Sequence, residues 1–151
     1  MVVVMATGTF DLLHPGHGLY LQKAKDLGGK DSKLVVVVAR DSTVLSKKRI
    51  PIVDENQRLE MIKFLKPVDE AYLGYECDMF QIVKEINPDI IAIGRDQNYD
   101  IEDLKKSLES RDISADVKRV DDYRTAELDS SSKIIKKIKE TIFERSQFDN
   151  R

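Results

Sequence analysis

Two runs of aliphatic residues, Val2 to Ala6 and Leu34 to Ala39, contain no polar position. A strand with one wet face alternates, so unbroken runs of this kind belong to strands buried on both faces, the pattern of a parallel sheet. Asp89-Ile90-Ile91-Ala92-Ile93, closed by Gly94, has the same character, and Glu70 to Leu73 is a shorter candidate. Ala115 to Val120 alternates instead, as expected of a less buried strand at a sheet edge. Between these runs the apolar spacing becomes helical. Tyr20, Ala24 and Leu27 predict a helix stopped by Gly28-Gly29. Asp54-x-x-Gln57 reads as a helix start, with Leu59, Ile62 and Leu65 on the buried face and Pro67 at the end. Asp78 caps a helix to Ile86, broken by Asn87-Pro88, and Leu104 and Leu108 belong to a further one. Ser130-Ser131-Ser132 precedes a last helix with Ile134, Ile135, Ile138 and Ile142 on its core side, followed by a polar tail, about 144–151, expected to fray. Arg40 to Asn56 is the least regular segment and carries Lys47-Lys48-Arg49 ahead of Pro51.

About five strands alternating with helices predict an α/β fold: a Rossmann-like, doubly wound, mainly parallel sheet with helices on both faces, with residues 1–151 forming one domain. In such sheets ligands lie beyond the carboxyl ends of the strands, at the switch in strand order. Three polar loops should meet there: residues 7–17, 94–100 and 121–132.

The first of these loops carries the strongest chemistry. Both histidines of the chain, His14 and His17, sit in the stretch Thr7-Gly8-Thr9-Phe10-Asp11-Leu12-Leu13-His14-Pro15-Gly16-His17, between a strand and a helix. Glycine beside the strand end allows close approach of backbone to a ligand. The helix start supplies unpaired N–H groups and the positive end of a dipole, which favour an anion. Two imidazoles donating hydrogen bonds there would complete a phosphate site. The competing interpretation is a turn whose histidines merely cap and pack.

Composition narrows the setting. The net charge of −2, from 25 basic and 27 acidic residues, argues against a general nucleic-acid binder. No apolar run approaches the ~18 residues of a membrane span. The chain enters a strand at once, with no basic leader ahead of it, so no targeting peptide is expected. The lone Cys77 excludes an intrachain disulfide and a cysteine zinc cluster, which fits a cytoplasmic location.

Gly8-Thr9-Phe10-Asp11-Leu12-Leu13-His14-Pro15-Gly16-His17 resembles the signature of the cytidylyltransferase-like nucleotidyltransferases, whose hallmark is His-x-Gly-His. The resemblance implies transfer of a nucleotidyl group from a nucleoside triphosphate to a phosphate monoester, with release of pyrophosphate. The attacking phosphate oxygen is already ionised at neutral pH, so the reaction needs positioning and charge neutralisation rather than a general base. His14, His17 and Lys47 are the implied catalytic residues, with Lys48 the second choice from the same basic run. Nucleotide contacts are implied for Thr9, Phe10, His14, Pro15, Gly16, His17, Asp96, Ser131 and Ser132. Asp11, Lys48, Tyr123 and Arg124 are candidates for phosphate or acceptor binding, with Asp11 read as an orienting group rather than a base.

Departures within the family refine this. Glycerol-phosphate cytidylyltransferases carry Gly-x-Asp-Trp where this chain has Gly94-Arg95-Asp96-Gln97, and the chain has no tryptophan. Their Arg-Thr-x-Gly-Ile-Ser-Thr-Thr is replaced by Arg124-Thr125-Ala126-Glu127-Leu128-Asp129-Ser130-Ser131-Ser132, which lacks the glycine and is one residue longer, so the aim of Arg124 is open. Gly-x-Asp-Gln, together with Val35 to Asp41, Gln57-Arg58-Leu59 and Pro67-Val68-Asp69-Glu70-Ala71, is similar to archaeal-type FAD synthases. That similarity implies ATP and FMN as substrates and a divalent cation, Mg²⁺, brought with the nucleotide, since no carboxylate cage for it is evident. Relatives are commonly homodimers. The alternatives are a CTP:glycerol-3-phosphate cytidylyltransferase, another adenylyltransferase such as the pantetheine-phosphate type, or a nucleotide-binding sensor without turnover.

Overall fold

The computed structural model describes residues 1–141; Ile142 and the tail of about 144–151 lie outside the described residues. Five strands, β1 (Val3–Gly8), β2 (Lys33–Val38), β3 (Glu70–Leu73), β4 (Ile90–Gly94) and β5 (Asp116–Val120), form one sheet in the order β3-β2-β1-β4-β5. Every neighbouring pair is parallel. Six helices interleave with them: α1 (Pro15–Leu27), α2 (Asp41–Ser46), α3 (Glu55–Lys63), α4 (Met79–Ile86), α5 (Ile101–Glu109) and α6 (Ser131–Glu140).

The alternation within each strand explains the two layers. Val4 and Ala6, Leu34, Val36 and Val38, and Ile90 and Ala92 pack with Tyr20, Leu21 and Ala24 of α1 and Ile62 of α3 on one face. Met5, Val37, Ile91 and Ile93 pack with Ile82 and Val83 of α4 and Leu104 and Leu108 of α5 on the other. Both faces are therefore dry, as the unbroken apolar runs require. β5 is an edge strand, with Val117 and Val120 buried and Asp116 and Lys118 exposed.

Chain order reverses at β1, which lies between β2 and β4. Its ladder with β2 runs to Gly8↔Val38, whereas its ladder with β4 ends at Ala6↔Ala92. The two central strands thus part at their carboxyl ends, and this is the crevice where a doubly wound sheet binds ligand.

Three expectations are corrected. The irregular segment contains a helical turn and a half, α2, held by buried Val44; a single apolar anchor is too short a pattern to read as a period. α3 stops at Lys63 rather than at Pro67, and residues 64–68 continue as turns in which Leu65 N–H bonds Ile62 O and Val68 N–H bonds Leu65 O. α6 has its apolar residues at helical spacing, but none of its side chains is buried and Ile138 is 54% exposed. Ile134 and Ile135 are half-buried and Ile138 is exposed, so the apolar face is covered in part at the start of α6 and uncovered at Ile138.

Candidate active site

The signature turn is built around two rings. Phe10 takes a left-handed backbone (φ 53°), and its buried ring folds back over Gly8, where any Cβ would come within 2.8 Å of it. The ring then meets His17 edge-on, with centroids 5.3 Å apart. His14 is the N-cap of α1, and Pro15 opens the helix, where its missing N–H is no loss.

The imidazoles close the helix end as a reciprocal pair. Gly16 N–H donates to Nδ1 of His14 at 3.1 Å, and His14 N–H donates to Nδ1 of His17 at 3.3 Å. The rings stack with centroids 3.8 Å apart. Gly16 is required here, because a Cβ would lie 2.8 Å from the His14 ring and 3.2 Å from Asp129 O. An Nδ1 that accepts a bond carries no hydrogen, so each neutral ring holds its hydrogen on Nε2 and keeps one N–H donor. Burial pushes His17 down to about 4, helped by the neighbouring His14 ring and opposed by Asp11. His14 is also lowered by burial, against the pull of Asp129 and Asp96. Near neutral pH the pair is uncharged and donating.

This geometry amends one expectation and joins two. The first turn of α1 does not offer bare N–H groups: Pro15 has none, Gly16 bonds Nδ1 of His14, and His17 N–H bonds His14 O. The donors left at this helix start are therefore the two Nε2–H groups, beside the positive end of the helix dipole. Capping and ligand binding are not competitors here, since Nδ1 performs the first and Nε2 is left for the second.

The three loops do converge, and each junction has a named bond. Ser131, the first residue of α6, accepts from Leu12 N–H (3.4 Å) and donates to Leu12 O (3.3 Å), while Ser130 caps the helix through Lys133 N–H. Ser132 is exposed and lies 3.1 Å from the Ser130 hydroxyl. Arg95 stacks 4.0 Å over the Tyr123 ring, donates to Tyr123 O at 3.0 Å and lies 3.8 Å from Asp129. Asp129 pairs with Lys133 at 2.6 Å. Asp96 is exposed on its loop and is felt electrostatically at His14. Asp11 accepts from Ile52 N–H (2.9 Å) and Val53 N–H (2.8 Å), which ties the signature turn to the segment that follows Lys47-Lys48-Arg49.

Other expected residues are not drawn into contacts. Lys47 and Lys48 are exposed, Lys47 as the C-cap of α2 and Lys48 with φ 60°, and neither pairs with an acid among the described residues. Arg124 is exposed, and no described residue bonds its side chain. Thr9 enters through its carbonyl, which accepts from Arg58 at 2.7 Å.

Sequence reasoning missed the residues that hold these loops in place. Gln97, read only as a discriminating letter, spans the gap where β1 and β4 part: its Oε1 accepts from Gly94 N–H (2.8 Å) and its Nε2 donates to Thr7 O (3.0 Å). Arg119 of β5 donates to Gly94 O, Gln97 O and Tyr99 O. Arg58 is buried with four bonds to backbone and carboxylate. Arg58 precedes Ile62 by four on the buried face of α3, which is the one sign the sequence gives of it.

The profile described as Cytidylyltransferase-like matches residues 5–137. An FAD synthase of Methanobrevibacter ruminantium is 66% identical over 141 residues, covering 93% of this chain and 94% of its own. An FAD synthase of Methanothermobacter thermautotrophicus is 57% identical over 150 residues, covering 99% of both. Among solved structures, one described as a lipopolysaccharide core biosynthesis protein from Thermoplasma volcanium GSS1 superposes with a TM-score of 0.78 at 48% identity, over 82% of this chain and 99% of that one. The matched span takes in the stacked histidines, the crevice between β1 and β4 and the loops that close on it: the chain belongs to the cytidylyltransferase-like family.

Proposed function

We propose that this chain adenylylates FMN with ATP, giving FAD and pyrophosphate, and that residues 1–151 act as one nucleotidyltransferase domain. The observation that carries nucleotidyl transfer is the stacked pair of neutral imidazoles, each with Nδ1 bonded to backbone and Nε2–H left to donate at a helix start. The choice of FMN and ATP is supported by near full-length similarity to FAD synthases and by Gly94-x-Asp96-Gln97.

An FMN phosphate oxygen attacks the α-phosphorus of ATP, a new P–O bond forms, and the bond from the α-phosphorus to the bridging oxygen of pyrophosphate breaks. His14 and His17 donate to the triphosphate oxygens as charge passes to the leaving group. Lys47, with Lys48 behind it, covers the same charge from the segment that Asp11 anchors. Asp96 takes a ribose hydroxyl or base amino group. Thr9, Phe10, Pro15 and Gly16 shape the wall against the nucleotide. Ser132 approaches a phosphate at the start of α6, whereas Ser131 acts by fixing Leu12. Tyr123 and Arg124 face the acceptor side. Mg²⁺ enters as part of the substrate MgATP, neutralising triphosphate charge; the described residues hold no group of three or more His, Cys, Asp or Glu that suits a metal of the protein's own.

No helix among the described residues is long and apolar enough to cross a membrane. The proposal places the enzyme in the cytoplasm, with small-molecule substrates rather than nucleic acid as partners. Homodimerisation belongs to the same proposal. A groove of about 550 Å³ beside edge strand β3, lined by Tyr72, Leu73, Ile82 and Ile86 among others, is the surface that would be tested for it, by sedimentation.

The test is pyrophosphate release from ATP or CTP against FMN or glycerol 3-phosphate, with Mg²⁺. FAD formed from ATP and FMN is the expected result. Turnover of CTP with glycerol 3-phosphate would reassign the substrates, and nucleotide binding without release in any combination would make the chain a sensor.

A further inference from the structure

We propose that Arg58 is a positioning residue for transfer, clamping both ends of the basic excursion 41–53 to the signature turn; the inference rests on that excursion covering the triphosphate. Arg58 lies in the first turns of α3, and its side chain is 0% exposed. A buried guanidinium is tolerated when its charge is paired and each of its nitrogens is hydrogen-bonded. Here Nη2 bonds Asp41 Oδ1 at 2.7 Å, at the entry to the excursion. Nε bonds Val53 O at 2.8 Å, at its exit. Nη1 bonds Thr9 O at 2.7 Å and Ala39 O at 2.8 Å, in the signature turn and just after β2.

Val53 is thus gripped from both sides, by Asp11 through its N–H and by Arg58 through its C=O. Between the clamped ends, residues 45–50 are all exposed, and these include Lys47, Lys48 and Arg49. The excursion has no other buried side chain than Val44 before Arg58 is reached. Its placement therefore depends on polar anchors: Glu55 accepts from Asp41 N–H at the entry, Asp11 accepts from Val53 N–H at the exit, and among the described residues Arg58 is the side chain that bonds both ends. Lysine cannot substitute: a single ammonium has three donors at one point and cannot span partners on separate segments. Arg58 touches no reacting atom in this arrangement and acts through the lysines it places.

The test uses R58K and D41N beside the parent chain, each compared at the same interval below its own melting temperature. D41N keeps the shape and a neutral acceptor at the entry anchor while removing its charge, and it keeps the variant series readable if R58K does not fold. Fragments ending at Lys47, Lys48 or Arg49 are timed under trypsin by mass spectrometry, with cleavage in α6 as the internal reference. Opening the clamp should raise selective nicking at 47–49 about tenfold in R58K, since cleavage follows the population of the open segment. It should also lower kcat for FAD formation by about 10²-fold while leaving KM for FMN within about threefold. D41N should move in the same direction by less. A merely structural Arg58 predicts lower melting temperatures with nicking at 47–49 no faster than in the parent, and that result overturns the inference. Faster nicking with kcat unchanged overturns it too, because the segment would be freed without cost to transfer. Absence of FAD formation in the parent would instead sink the functional reading on which the inference rests.

Discussion

At the scale of single residues, the division of labour within each imidazole decides what substitution should do. In His17, Nδ1 caps the turn and Nε2–H is the donor that should strengthen its bond as charge develops on pyrophosphate. His17→Ala is therefore expected to lower kcat for FAD formation by about 10²-fold, with a smaller change in ATP affinity. It should also cost about 1 kcal/mol of stability through the lost cap. Steady-state kinetics with an ATP-binding titration check this, and an unchanged kcat would remove His17 from the chemistry. Asp96 makes the opposite case. It is exposed, and its proposed contact is with the ribose or base rather than with the bond that breaks, so Asp96→Ala should raise the KM for ATP while leaving kcat nearly intact. Equal ATP affinity in that variant would make Asp96 an ordinary loop residue.

At the scale of elements, two glycines two positions apart in α1 separate packing from propensity. A Cβ at Gly16 meets the His14 ring at 2.8 Å, whereas one at Gly18 meets nothing within 4 Å. Gly16→Ala should push the His14 ring off its cap and lower both melting temperature and kcat. Gly18→Ala should stabilise the chain by about 0.5–1 kcal/mol, as alanine does inside a helix; thermal melts of the pair give the contrast. Gln97 is the corresponding device in the sheet. Where the β1–β4 ladder ends, its carboxamide stands in for a missing peptide group, donating to Thr7 O and accepting from Gly94 N–H. Gln97→Glu loses the donor and sets a carboxylate against a carbonyl, which should cost about 1–3 kcal/mol in denaturant unfolding. A Gln97→Glu variant as stable as the parent would show that the crevice holds without the clip.

These elements also show how far a sequence can be read. The sheet was legible because strands buried on both faces have nowhere to place a polar residue, so Val2 to Ala6 and Leu34 to Ala39 appear as unbroken runs. The signature was legible because His14, Gly16 and His17 act within a single turn. What stayed hidden depends on carbonyl oxygens, which leave no mark in composition. Arg58 shows only as a base four positions before Ile62 until its four acceptors are seen, and Arg119, on the parity of Val117, shows only as a break in the alternation of an edge strand. α6 failed in the other direction. Its isoleucines have the spacing of a core face, but periodicity states only that a face is apolar, not that the fold covers it.

At the scale of the whole molecule, the histidine pair should set how stability responds to acid. In the unfolded chain a histidine binds its proton near 6.5, while in the folded chain burial and the adjacent ring hold His17 at about 4. Between those values the unfolded state binds more protons, so stability is full above pH 6.5, falls as pH drops through that window and levels off below about 4. His14, lowered by burial in the same sense, adds to the slope. The carboxylates act in a separate window. Asp129, held down by Lys133, and Asp69, held down by Lys25 against the effect of burial, each sit below the ordinary 3.8, so their contributions disappear only at more acid pH. Melting temperatures measured from pH 7.5 to 4.5 should therefore decline along a histidine slope before any carboxylate is lost. MgATP should flatten that decline, because triphosphate oxygens on the two Nε2 atoms favour protonated rings and draw the folded pKa values back up. A decline of equal steepness with and without MgATP would mean that the nucleotide does not reach the histidines, and the phosphate role assigned to both would fall with it.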